Sequence, residues 1–221
     1  IDLVSKYGSD AFRLGILRGR SAGMNQAFSE PSVVSGRNLC NKLWNISRFI
    51  QGLVDEEIET QGYSHANVDA VLPDEDGAVH SSQSDAINPD QYQYSTNNMG
   101  EDWICRELNR CRQMVEQDMA EYRFSEAVEV LYSTIWDKYA DWFIESQKLF
   151  KNVSLLKATL ETVLTMLHPF APFVTEVIWQ NLSWTDGMII NSKWPSLLGF
   201  EEISAENFER LREVVSEIRA T

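Results

Sequence analysis

The sequence predicts an all-α protein, an antiparallel bundle of helices. Apolar residues recur at three- and four-residue spacing in several long stretches, which is the period of one helix face. Strand-like and helix-like segments do not alternate along the chain, so a parallel α/β sheet is not indicated. Long helices joined by turns pack as antiparallel neighbours.

The first two predicted helices lie on either side of a polar loop. Ser9 is suited to be an N-cap, and Gly19 is suited to end the helix that follows it. The second helix is the longest, from about Glu30 to about Ile58, with a proline in its first turn, where no amide hydrogen bond is needed.

An acidic loop is expected at about 62–97, because this segment contains proline and glycine and has no sustained apolar period. Asn98, with Glu101 three residues later, forms a cap signature that starts a helix reaching about Tyr122.

The second half of the chain predicts four more helices. They are expected at about 125–149, at 154–168 before Pro169, from Pro172 onward, and after Ser204, where Phe208, Leu211, Val215 and Ile218 share one face. The segment "MIINSKWP" (188–195) is interpreted as a short strand or an extended turn.

Composition places the chain among folded proteins of a reducing compartment. The 221 residues are 43% hydrophobic, enough for a sizeable core. Cys40, Cys105 and Cys111 lack C-x-x-C spacing and are expected to be free or buried thiols. No membrane span or signal peptide is predicted, so a cytoplasmic location is expected. Because the chain begins at Ile1 in mid-pattern, we expect it to be a fragment of a longer protein.

Charge is unevenly distributed along the chain. The formal net charge is −14, but residues 1–50 have a net charge of +4 and residues 51–103 a net charge of −12. A polyanionic partner therefore remains possible if it contacts the N-terminal region.

The stretch "GRNLCNKLWNISRF" (36–49) contains three asparagines and three cations within a predicted helix. On a helical wheel Arg37, Asn41, Asn45 and Arg48 fall within about 80° of one another, opposite the apolar side. Asn38 and Lys42 flank them. Cations suit phosphates and amides suit base edges, so the row is a candidate surface for single-stranded RNA loops.

Other residues could extend this surface. Trp44 and Phe49 border the row and are candidates for stacking on bases. Arg18 and Arg20 could enlarge the positive region, although cations also favour helix C-termini. The structural alternative is an ordinary solvated helix face with core aromatics.

No catalytic residue and no metal ligand is predicted in this chain. The sequence lacks a P-loop and the motifs G-x-G-x-x-G, H-E-x-x-H and G-x-S-x-G. Asp137 and Asp141 stand one helical turn apart, but a solvated face explains such a pair without catalysis.

Several stretches resemble the C-terminal half of class I aminoacyl-tRNA synthetases, in order and approximate spacing. The resemblance covers nearly the whole chain apart from the acidic loop. The pattern HPF-x-PF-x-TE-x-IW is shared by the valyl, isoleucyl and leucyl enzymes, whereas RN-x-x-NK-x-WN-x-x-RF is similar to the valyl branch. The matching stretches here are "YGSDAFRLGIL" (7–17), "GRNLCNKLWNISRFI" (36–50), "YRFSEAVEVLYSTIWDKYADWFIESQK" (122–148) and "LHPFAPFVTEVIWQNL" (167–182).

The resemblance implies the helical-bundle anticodon-binding domain of that family. Residues 1–19 would be a junction helix after a catalytic domain, 20–200 the bundle, and 201–221 a helix leading toward a further C-terminal region. The implied partner is the anticodon stem-loop of tRNA, tRNA(Val) for the valyl branch. The implied parent is a monomeric enzyme that uses ATP and Mg²⁺, neither of which this segment itself would bind.

The resemblance implies a role for particular residues and leaves two alternatives. Arg37, Asn38, Asn41, Lys42, Asn45 and Arg48 would lie on or near the tRNA-facing side, and HPFAPF would be structural. Within the family, an isoleucyl enzyme is the alternative. From a different class, the alternative is a protein-interaction bundle that recruits a basic partner through its acidic loop, and deletion of 62–97 would abolish only that binding.

Overall fold

The computed structural model describes residues 2–19, 29–65 and 94–220. Within these ranges the fold is all-α, as predicted. The α-helices are α1 (Asp2–Tyr7), α2 (Ser9–Leu17), α3 (Glu30–His65), α4 (Met99–Ala120), α5 (Phe124–Ser133), α6 (Val153–Leu167), α7 (Pro172–Asn181) and α8 (Glu202–Ala220).

Two predicted boundaries in the first half are corrected. Gly8, with φ at 91°, is the N-cap of α2, and Ser9 is its first helical residue. Helix α3 continues past Ile58 to His65, so residues 62–65 of the predicted acidic loop are helical. Most of that loop (66–93) and residues 20–28 lie outside the described residues.

Helices α2 and α3 cross in close contact because each has a glycine at the crossing. A Cβ on Gly15 would lie 2.7 Å from the Val33 Cα atom. A Cβ on Gly36 would lie 2.7 Å from the Ala11 carbonyl oxygen. The absence of these side chains lets the two backbones approach, and this fixes the position of α3 beside α2.

Helix α2 also fixes the turn between α6 and α7. The buried Asp10 carboxylate accepts hydrogen bonds from the Val174 amide at 2.6 Å and the Phe173 amide at 3.4 Å, at the N-terminus of α7. The Arg13 guanidinium donates to the carbonyls of Phe170 and Pro169, just past the end of α6. The two side chains satisfy backbone groups that helix ends leave unpaired. The predicted structural role of HPFAPF is consistent with these contacts.

The predicted cap of α4 is present and belongs to a buried network. The Asn98 side chain accepts from the amides of Gly100 and Glu101. Glu101 is almost completely buried, and its carboxylate accepts hydrogen bonds from Gln147 at 3.0 Å and Asn152 at 2.8 Å. This carboxylate therefore joins the start of α4 to the start of α6.

The single helix predicted at 125–149 is instead three consecutive helical segments. Helix α5 continues directly into a π-helix, Thr134–Ile144, and ends in an α-helical turn, Glu145–Gln147. Residues spaced four apart drift around an α-helix, because one α-helical turn has only 3.6 residues. A π-helix has more residues per turn, so it keeps residues at this spacing on one side. The buried residues at this spacing are Leu131, Ile135, Tyr139, Phe143 and Gln147.

Helix α8 packs on α4 through a face that includes Phe208 and Val215, as predicted, but not Leu211 and Ile218. It begins at Glu202, and Leu211 and Ile218 are exposed. Phe208 packs as predicted, 5.1 Å from the Trp103 ring. The guanidinium of Arg212 lies 5.0 Å from that ring and 5.4 Å from the Trp142 ring. The packed face of α8 therefore includes a cation that the apolar pattern did not predict.

The segment at 188–195 contains a 3₁₀ turn, Ile189–Asn191, and not a strand. The Ile189 side chain is buried, and its amide donates to the Glu176 carboxylate at 3.2 Å. Because these contacts anchor the turn to α7, the apolar run serves to hold a loop and not to extend a sheet.

Candidate nucleic-acid interface

The surface of interest is the outer face of α3, which we call the polar ridge and define as Arg37, Asn38, Asn41, Lys42, Asn45 and Arg48. On the opposite face Leu39, Leu43 and Ile50 are fully buried in the core. Asn38, Asn41, Asn45 and Arg48 are exposed. The helical-wheel placement therefore agrees with the structure.

Three ridge side chains are free to meet a partner. Within the described part of the chain, the side chains of Asn41, Asn45 and Arg48 make no hydrogen bond or ion pair. Two amides and a guanidinium thus present unsatisfied donors and acceptors to solvent from one rigid helix.

Arg37 is the most confined of the ridge arginines. Its NH2 atom donates to the Asn38 side-chain oxygen at 3.1 Å, and its guanidinium lies 5.5 Å from the Tyr7 ring. Its Nε atom is buried without a partner among the described residues. Tyr7 is held in turn by a 2.6 Å hydrogen bond to Glu30. Arg37 is therefore fixed in place by α1 while Asn38 stays exposed.

Lys42 is paired. Its Nζ atom lies 2.6 Å from the Asp141 carboxylate and 4.0 Å from the centre of the Trp136 ring. Both partners belong to the π-helix, so this lysine ties the ridge to the segment that packs beside it.

Arg18 is paired in a similar way, and Arg20 lies outside the described residues. The Arg18 guanidinium forms two 2.9 Å hydrogen bonds to the Glu129 carboxylate and also donates to Ser35. It lies 3.4 Å from the Tyr132 ring centre. Hydrogen bonding to Arg18 lowers the pKa of Glu129.

The aromatic residues nearest the cations are not those predicted to stack. Trp44 and Phe49 are half-buried and pack against the core. Tyr132 and Trp136 instead lie beside Arg18 and Lys42, with ring planes 3° apart and centres 5.7 Å apart. The signal in the sequence that points to this pair is its i, i+4 spacing on an amphipathic segment.

The three cysteines lie in surroundings that keep their thiols protonated. Burial raises the pKa of Cys40 and Cys105 to about 12 and that of Cys111 to about 11, so these thiols stay protonated at neutral pH. In the part of the chain that is described, no three His, Cys, Asp or Glu side chains are grouped as a metal site requires. No described helix has both the length and the apolar character of a membrane span.

Comparison with known families gives the class of protein. The family model for the anticodon-binding domain of tRNA ligase matches residues 101–221, more than half of the chain. The chain belongs to this family.

The most informative relatives within that class are valine–tRNA ligases. The enzyme of Streptococcus pneumoniae serotype 4 is 31% identical over an alignment of 231 positions. The alignment covers 99% of this chain and 23% of that protein. The enzyme of Listeria innocua serovar 6a is 32% identical over 230 residues, covering 100% and 23%. The chain thus spans about a quarter of the length of these relatives. These alignments include the polar ridge, which precedes the family-model match.

The fold itself has a solved counterpart. The agnB2 LeuRS of Agrobacterium radiobacter K84, crystallised as a ternary complex with tRNA and LeuAMS, matches 92% of this chain and 21% of its own chain with a TM-score of 0.61. The identity is 17%, so the likeness concerns the fold of the bundle.

Proposed function

We propose that the chain binds the anticodon stem-loop of a tRNA, and specifically tRNA(Val), through the polar ridge. The observation that carries this proposal is that Asn41, Asn45 and Arg48 project outward with no partner among the described residues. Membership in the family of tRNA ligase anticodon-binding domains supports the same function.

The chemistry of the ridge suits a nucleotide loop. Each asparagine amide can donate to and accept from the Watson–Crick edge of an unpaired base, which a hairpin loop exposes. Arg48 supplies a mobile charge for a phosphate, and such contacts position RNA without reading sequence. Asn38 and Arg37 extend the surface toward α1, Lys42 lies within it in an ion pair, and Arg18 borders it.

For the whole protein we propose ATP-dependent attachment of valine to tRNA(Val) by a monomeric cytoplasmic enzyme. Its ATP and Mg²⁺ sites would lie outside this chain. The names of the relatives and the coverage of 23% of their length support this assignment. The same relatives favour the valyl enzyme over the isoleucyl alternative. Adenylate exchange by the full-length protein with valine and with isoleucine would distinguish them.

The proposed contact can be tested by substitution of the free arginine. Arg48→Ala should weaken binding of the tRNA(Val) anticodon stem-loop. It should also lower the slope of log affinity against log salt by about 0.7, the value for one phosphate contact on single-stranded RNA. The measurement is fluorescence anisotropy with a labelled stem-loop across a salt series.

Arg210→Ala is the matched control, because Arg210 is also exposed and without a partner among the described residues but lies on α8. It should lower affinity slightly and leave the slope unchanged. Equal effects of the two substitutions would place the RNA elsewhere.

A further inference from the structure

Two of the cations that border or belong to the ridge are neutralised by carboxylates in the free protein. The groups form a continuous row along α5 and the π-helix, which we call the cation–aromatic strip. It consists of Glu129, Arg18, Tyr132, Trp136, Lys42 and Asp141.

The carboxylates of the strip are more exposed than its cations. The Glu129 and Asp141 side chains are 52% and 54% exposed. The side chains of Arg18 and Lys42 are 19% and 24% exposed, since each lies against an aromatic ring. An approaching phosphate would therefore meet a carboxylate first.

Arg48 provides the contrast within the same surface. It is exposed and has no carboxylate partner among the described residues, whereas the Lys42 ammonium lies 2.6 Å from Asp141. Among the described residues, Arg48 is thus an exposed cation available to a phosphate, whereas Arg18 and Lys42 are already paired with carboxylates.

We infer that Glu129 and Asp141 are specificity-determining residues that compete with RNA phosphates for Arg18 and Lys42. A phosphate that binds either cation must first displace a carboxylate, so the net gain in Coulomb energy is small. Contacts to phosphates are the main source of affinity for RNA of any sequence. The pairing of Arg18 and Lys42 with carboxylates therefore weakens the binding of RNA of any sequence, which depends on phosphate contacts. It weakens the binding of RNA that the asparagine amides recognise to a smaller extent. The selectivity part of this inference rests on the proposed function.

The test removes one carboxylate and measures RNA binding by the full chain. Asp141→Asn should raise affinity for an oligo-uridine of unrelated sequence about fivefold to tenfold at low salt and steepen its salt slope by about 0.7, because Lys42 gains a phosphate. Affinity for the tRNA(Val) anticodon stem-loop should rise less, so the ratio of the two affinities should fall.

Asp137→Asn is the matched control. It removes the same charge from the same π-helix, and Asp137 is exposed with no described partner. It should leave the slope unchanged. The double variant Asp141→Asn with Lys42→Met should lose the gain, which separates a released lysine from a general change in charge.

Equal salt slopes for Asp141→Asn and Asp137→Asn would overturn the inference. A lower melting temperature of Asp141→Asn with no change in its salt slope would also overturn it, because that is the result expected for a purely structural ion pair. Failure of the proposed function looks different. The wild-type chain would then show no preference for the stem-loop, while the oligo-uridine comparison would still report on phosphate competition.

Discussion

Lys42 and Arg48 are both cations of the polar ridge, yet their surroundings differ. Sequence placed both on the outer side of one helix, and the structure agrees. It could not show that Lys42 is paired, because Asp141 is 99 positions away in the chain and meets it only after the π-helix packs beside α3. Helical periodicity predicts which side a residue occupies but not which side chains arrive from other elements.

The stacking candidates illustrate the same limit. Trp44 and Phe49 lie on the same helix as the ridge but pack against the core, whereas Tyr132 and Trp136 come from α5 and the π-helix and lie beside the cations. An aromatic residue on the boundary of an apolar stripe can face either way, and only tertiary packing decides.

At the residue scale, Glu161 should make stability depend on pH. Burial raises its pKa to about 7, against the hydrogen bond from the Trp184 indole and the charge of Lys157. The folded carboxyl therefore binds its proton more tightly than the unfolded chain does. Its contribution favours folding below about pH 4.5 and is lost as the pH rises through about 7.

Glu161→Gln should remove this dependence while keeping an oxygen to accept from Trp184. At pH 8, where the native carboxyl is charged, the substitution should raise the free energy of unfolding. The increase over the wild type should be larger than at pH 4 by about 3 kcal/mol at most. Urea unfolding at the two pH values measures the difference. Glu213→Gln, at an exposed position on α8, should change the free energy of unfolding equally at the two pH values. The account would be contradicted if Glu161→Gln also had the same effect at pH 4 and pH 8.

At the element scale, α2 acts as a clamp on the rest of the bundle. Its Asp10 and Arg13 hold the ends of α7 and α6, and Gly15 lets it lie directly on α3. The helix that carries the polar ridge is thus fixed by a short neighbour that also holds the turn between α6 and α7. Sequence reasoning predicted α2 but not this role, because the partners of Asp10 and Arg13 lie more than 150 positions away.

Gly36 tests the close crossing of α2 and α3. Gly36→Ala should lower the free energy of unfolding by about 1–3 kcal/mol, because the new methyl group would press on the Ala11 carbonyl and the Leu14 side chain. Thermal or urea denaturation followed by circular dichroism measures this effect.

Gly52 is the matched control on the same helix. Nothing lies within 4 Å of a Cβ built there, so Gly52→Ala should stabilise the protein by up to about 1 kcal/mol through helix propensity. Stabilisation by both substitutions would show that the helices do not cross closely at Gly36.

Elements were predicted well where the signal was local and less well where it depended on neighbours. The Asn98 cap and the break at HPFAPF follow from adjacent residues, and both are present. The π-helix was missed although the four-residue spacing of its buried side chains is visible in the sequence. The place of Arg212 on the packed face of α8 could not be inferred, because it fits there only between Trp103 and Trp142 of other helices.

At the scale of the whole molecule, the bundle presents a rigid helix whose outer face is polar and whose inner face is buried. A net charge of −14 opposes binding to any polyanion, so the placement of the exposed positive and amide groups becomes decisive. We propose that the exposed asparagine amides and Arg48 recognise the RNA. Arg18 and Lys42 contribute less to binding, because carboxylates pair with them.

Zero-length photocrosslinking of the full chain to a tRNA(Val) anticodon stem-loop tests the central claim most directly. The stem-loop would contain 4-thiouridine in its loop, and mass spectrometry would locate the crosslinked peptides. The account predicts crosslinks within residues 37–48 of α3, lost in the Asn41→Ala plus Asn45→Ala variant. Crosslinks confined to other helices, with α3 unmodified, would contradict it.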